Sequence, residues 1–178
     1  TGSFIQEQRK KITFSHVETK SKNSFVTYVD KESEKRLVKW LQNILPEAGF
    51  ITEEKTIADE KKKYTWIIDP LDGTTNFIHG LPCYCISIGL YLSPPLLISS
   101  SPIQFKKGNG ERVKRRSGEG LIGVIYEPNL NELFYAIKNG GAFLNGERIF
   151  VSKTKELNDS LLVTGFPAYD YSRMNEYV

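Results

Sequence analysis

The sequence is short of what several protein classes require. It has two cysteines, two histidines and one methionine in 178 residues. Cys83 and Cys85 stand one residue apart, and a disulfide between such near strand neighbours would be strained. They read as reduced core thiols. With no other cysteine, and both histidines elsewhere, they do not make a metal-ligand set. A chain without a disulfide framework points to the cytoplasm. No apolar run approaches the ~20 residues of a membrane span, and no secretory signal precedes the polar opening TGSFIQEQRKK. The net charge of +3 is too small to argue for nucleic acid.

What is present has the composition of a single soluble globular domain. TGSFIQEQRKK reads as the end of a helix whose start is not present. Residues 24–29, SFVTYV, include β-branched side chains and predict a short strand. Asp30 stands where a helix N-cap belongs, followed by an apolar stripe of Leu37, Trp40, Leu41, Ile44 and Leu45. Pro46 and Gly49 end that helix. Residues 64–68, 84–92 and 121–128 predict strands, and Asn139-Gly140-Gly141 and Asn145-Gly146 predict the turns of a β-meander. SLLVT at 160–164 suits a further strand. Helices mixed with a meander predict an α+β fold, helices layered on a largely antiparallel sheet. Residues 93–120 break this pattern. They are rich in Ser, Pro and Gly and basic at Lys106, Lys107, Arg112, Lys114, Arg115 and Arg116. With Phe105 as the sole aromatic there, the stretch reads as a surface insertion rather than a nucleic-acid site.

The chemistry concentrates in residues 64–80, YTWIIDPLDGTTNFIHG. An apolar strand ends in Asp69, Pro70 bends the chain, Asp72 follows, and Gly73-Thr74-Thr75 opens a turn. Two such acids can hold paired Mg²⁺ ions ~3.5–4 Å apart, with Asp69 bridging and Asp72 on the second ion. The Leu71 carbonyl can turn toward the same cluster, and Glu53, from the preceding loop, can complete the first ion's ligands. Gly73 and Thr74 offer backbone N–H groups to an anion. A phospho-aspartate mechanism, as in haloacid dehalogenase phosphatases, needs acids two residues apart on one strand face; a spacing of three breaks that register.

The string WIIDPLDGTTNFIHGLP resembles the first metal motif of the inositol monophosphatase family. The resemblance continues in FVTYVDKESE, GFITEEKT, LIGVIYEPNLNELFYAIKNGGAFLNGERIFVS and SLLVTGFP, over roughly 150 residues. Thr75-Asn76 favours that branch over the bisphosphate nucleotidases, which typically have Lys-Glu there. The resemblance implies a layered αβαβα fold, Mg²⁺-dependent and lithium-sensitive hydrolysis of a small phosphorylated polyol or sugar, and a homodimer. It implies that Glu53, Asp69 and the Leu71 carbonyl bind the first Mg²⁺, and that Asp69 and Asp72 bind the second. Thr74, paired with Glu53, would orient the attacking water, with Asp30 behind the site and Glu54 supporting Glu53. Asp72, Gly73 and Thr74 would hold the phosphate. Inositol monophosphate is the expected substrate; fructose bisphosphate, a nucleoside bisphosphate, and an inactive metal-binding fragment are the alternatives. The family's second motif, W-D followed by small residues, is not in this sequence, whose tryptophans are Trp40 and Trp66. The resemblance therefore implies an incomplete domain over 1–178, its N-terminal portion, with an insertion at about 93–120.

Overall fold

A computed structural model describes residues 1–12, 17–21, 24–92 and 118–163, with side chains over 17–26 left aside. Helix α1 spans Gly2–Arg9, and strands β1 (Val17–Ser21) and β2 (Ser24–Thr27) form an antiparallel hairpin. Helix α2 spans Tyr28–Ile44. Then come β3 (Gly49–Thr52), β4 (Tyr64–Asp72), the short helix α3 (Thr74–His79), β5 (Cys85–Leu92), β6 (Glu119–Glu127), β7 (Glu132–Ile137), β8 (Gly141–Leu144) and β9 (Glu147–Ile149). Strands β3 to β9 form one seven-stranded sheet in sequence order. β3 and β4 pair in parallel and every later pair is antiparallel, as the meander signals predict.

Local chemistry shifts several predicted boundaries. α2 begins two residues before Asp30, because Thr27 is its N-cap and Asp30 is the third helical residue of a capping box. The Thr27 hydroxyl accepts from the Val29 amide at 3.1 Å, and the Asp30 carboxylate accepts from the Thr27 amide at 2.8 Å. The predicted strand at 24–29 is therefore cut short at Thr27. The predicted apolar stripe is split. Leu41 is buried, with Leu37 and Leu45 against the core, but Trp40 and Ile44 are 70% and 66% exposed. Val38, one turn before Leu41, takes the inward position instead.

The core lies between α1, α2, α3 and one face of the sheet. Val38 and Leu41 pack with Phe50, Trp66, Ile68 and Leu90. Ile5, Val29, Leu71, Phe77, Tyr84 and Ile86 form a second cluster, and Leu37 and Ile88 touch both. Ile86, Ile88 and Leu90 alternate along β5, so Ser87, Gly89 and Tyr91 face the other way. That second face lines an open cleft of about 950 Å³.

The strand through Pro70 is a second departure. Proline does not end β4, which runs on to Asp72. Asp69 pairs with Ser87 and Asp72 with Cys85, so two residues of β4 oppose Ile86 alone. This is a β-bulge, and it accommodates the ring that cannot donate to the ladder. Two predicted features change with it. SLLVT forms no strand over its described residues 160–163. Cys83 is exposed and Cys85 only half-buried, so neither is a core thiol, although both are free. Most of the basic stretch, 93–117, lies outside the described residues.

Candidate active site

The bulge decides where the acids point. Ser87 and Cys85 are two apart on β5 and share a face, so their partners Asp69 and Asp72 share it too. A three-residue spacing thus gives the same-face placement that the sequence argument reserved for a spacing of two. Register therefore does not by itself exclude aspartyl-phosphate chemistry. β3 lies parallel beside β4, and the Glu53 amide donates to the Ile68 carbonyl at 3.2 Å, which sets Glu53 next to the end of the same strand.

Electrostatics reports the convergence. Burial, then a hydrogen bond and like charge from Glu53, then the charge of Asp72, push the Asp69 carboxyl up to about 8. Asp69 therefore keeps its proton at neutral pH, and a cation at this place would favour its carboxylate instead. The half-buried Cys85 thiol is pushed up to about 11, by burial first and then by Asp72 and Asp69. Among the described residues no three Asp, Glu, His or Cys side chains close on one point as a finished metal cage. The structure therefore supplies a hydrogen-bonded pair, Glu53–Asp69, with Asp72 adding its charge. All-oxygen donors of this kind fit Mg²⁺, which keeps several waters and rarely takes a full protein cage.

Beside the acids, Gly73 adopts φ +92° as it turns β4 into α3. A Cβ there would lie 2.7 Å from the Cys83 carbonyl oxygen, so both the backbone angle and the space call for glycine. The Thr74 hydroxyl is 2.8 Å from Asp30 Oδ1 and 3.0 Å from the Leu71 carbonyl oxygen. The Thr74 hydroxyl thus ties the turn to Asp30 and to the end of β4. Asp30 is buried and also accepts from Thr27; burial holds its carboxyl above the usual range, against the pull of the Thr27 and Thr74 hydrogen bonds. The Leu71 amide donates to Asp69 Oδ1 at 3.1 Å, which fixes that carboxylate within the bulge. Glu54 donates its amide to Glu34 at 2.7 Å. Sequence reasoning saw Glu34 only as a residue of the first helical turn and gave it no part in the site. Its one available signal was a carboxylate one helical turn after Asp30, on the face that turns inward.

The chain is similar to several known proteins. The chain is 32% identical over 167 residues to the fructose-1,6-bisphosphatase/inositol-1-monophosphatase of Aquifex aeolicus, covering 94% of this chain and 54% of that protein. It is 40% identical over 167 residues to inositol monophosphatase 3 of Solanum lycopersicum, covering 92% and 53%. The crystal structure of extragenic suppressor protein suhB from Bartonella henselae superposes with a TM-score of 0.68 at 31% identity, covering 86% of this chain and 50% of that one. The chain spans about half the length of the relatives it matches. The sequence profile of the inositol monophosphatase family matches residues 1–97 and 115–177, skipping part of the basic stretch. The mixed sheet, its helical cover and this sequence match have one source: the chain belongs to the inositol monophosphatase family.

Proposed function

We propose that this chain carries the first half of a magnesium-dependent phosphomonoesterase site, with inositol monophosphate as its substrate. One observation carries the reading. The β4 bulge sets Asp69 and Asp72 on one sheet face beside Glu53, immediately before the Gly73–Thr74 turn. Family membership supports it. Glu53, Asp69 and Asp72 would hold the metal, with the Leu71 carbonyl at the edge of the set. Bound there, Mg²⁺ supplies charge neutralisation and an activated water for in-line attack on phosphorus, with no phospho-enzyme. Asp72 and the amides of Gly73 and Thr74 would hold the phosphate. The Thr74 hydroxyl donates to Asp30, which leaves its oxygen a lone pair to orient that water. Asp30, whose carboxyl is held above its usual range, suits a proton passed through Thr74. Lithium sensitivity, a homodimer and a cytoplasmic setting belong to the same reading.

The double name of the Aquifex relative favours a second reading within the same chemistry, a fructose bisphosphatase. Phosphate release from inositol 1-phosphate, fructose 1,6-bisphosphate and adenosine 3′,5′-bisphosphate, with and without Mg²⁺, separates the two. In the protein that carries the whole site, inositol phosphate is expected to be hydrolysed fastest, and Asp69→Asn is expected to lower its turnover by about 10²- to 10³-fold, the scale seen when an essential electrostatic group is removed. Turnover that survives Asp69→Asn sinks the assignment. Metal uptake without any turnover would make the chain a binding fragment.

A further inference from the structure

Helix α2 carries two buried carboxylates one turn apart, and each reaches a different loop. Asp30 serves the Thr74 turn. Glu34, with 0% of its surface exposed, reaches the loop that bears Glu53. Glu34 Oε2 accepts from the Glu54 amide at 2.7 Å, and Oε1 accepts from the Thr56 amide and the Thr56 hydroxyl, each at 2.7 Å. Between those two amides stands Lys55, with φ at +52°. An L-residue with a long side chain rarely stays in this left-handed region unless its surroundings hold it there. Glu34 provides that hold. A buried carboxylate needs donors on both oxygens, and here they come from either side of the strained residue. Glu53 is thus fixed from two directions. Its own amide bonds to Ile68 on β4, and the turn that follows it is closed on α2.

We propose that Glu34 is a positioning residue for the acidic site: its carboxylate clamps the strained turn at Lys55 and thereby aims Glu53 at Asp69. The inference rests on reading Glu53 and Asp69 as the metal-holding pair. Glu34 itself stays behind the loop and acts only through it. One helix then registers both halves of the cluster, Asp30 the β4 side and Glu34 the β3 side. The spacing between the acids follows from a rigid helix rather than from two independent loops.

The test is a calorimetric Mg²⁺ titration of the folded chain and five variants, one of them double. Glu34→Gln keeps the volume but presents an NH₂ donor to one of the clamped amides. It is expected to weaken Mg²⁺ binding about 10- to 100-fold, as loss of a partner that orients a ligand does. Val38→Ala, one turn on in the same helix, lowers thermal stability but is expected to leave Mg²⁺ affinity within about twofold. Lys55→Gly, which removes the left-handed strain, is expected to restore part of the affinity to Glu34→Gln and to change little alone. Thr56→Val removes one of the three bonds and gives a smaller weakening, and it carries the test should Glu34→Gln not fold. Affinity within about twofold after Glu34→Gln, or an equal loss in Val38→Ala, or no recovery with Lys55→Gly, overturns the proposal. If the parent chain takes up no Mg²⁺, the functional reading fails, and amide exchange then decides the clamp. Faster exchange of the Glu54 and Thr56 amides in Glu34→Gln supports it, and unchanged exchange overturns it.

Discussion

Asp69 is where residue chemistry can be read without a substrate. Its carboxyl, pushed up to about 8 against an ordinary value of 3.8, keeps its proton in the folded metal-free chain but loses it on unfolding. The folded state therefore binds more protons between these values, and its stability falls as pH rises from about 4 to about 8. The melting temperature without metal is expected to drop across that window, and Asp69→Asn is expected to flatten the drop. A variant with the same slope as the parent would show that another group is responsible. The cysteines give a simpler contrast. Cys83 is exposed, while the half-buried Cys85 thiol lies near 11 beside two carboxylates. Thiolate is the reactive form. At pH 8, iodoacetamide is expected to label one thiol per chain quickly, and Cys83→Ser, not Cys85→Ser, is expected to remove that phase. Sequence alone made the two thiols alike, because their unequal exposure arises where the turn after α3 meets β5.

At the scale of elements, α2 and β4 carry the argument. α2 was legible as a helix but not in its phase. Its apolar residues overfill one stripe, and only packing against Trp66, Ile68 and Leu90 selects Val38 and Leu41 over Trp40 and Ile44. Leu41→Ala is expected to cost about 2–4 kcal/mol in urea unfolding, through lost burial and a cavity. Trp40→Gln is expected to stay within about 0.5 kcal/mol, as for exposed positions generally. Equal costs for the two would mean that the stripe read from the sequence is the buried one after all. β4 was legible up to Ile68 and no further. Pro70 suggested a break, yet a bulge lets the ring sit inside the pairing with β5, and no local pattern announces a bulge.

At the scale of the whole molecule, the helices cover one face of the seven-stranded sheet, and Glu53 and Asp69 open on the other, within the cleft that Ser87 and Gly89 also line. A cation that binds the folded chain and not the unfolded one stabilises it by mass action, about 2.7 kcal/mol at a hundred times its dissociation constant. Mg²⁺ is expected to raise the melting temperature of the parent, more at pH 8 than at pH 5, because it competes with the proton held by Asp69. The rise should vanish in a Glu53→Gln, Asp69→Asn double variant. A rise that persists there would place the cation elsewhere.

The candidate site's residue types and the class of fold were legible along the chain. Asp69, Asp72 and the Gly73–Thr74 turn are adjacent in the chain, so their grouping needs no tertiary information, and the meander follows from its Asn-Gly turns. What only the tertiary structure decided is relative placement. Thr74 meets Asp30 across 44 positions of sequence. Glu34 meets Thr56 across 22. The facing of Asp69 with Asp72 depends on a two-for-one pairing with another strand. Local pattern specifies period and turn type, whereas partners at such separations are fixed by which surfaces bury together. The residues that hold the site in shape therefore appear only once the chain has packed.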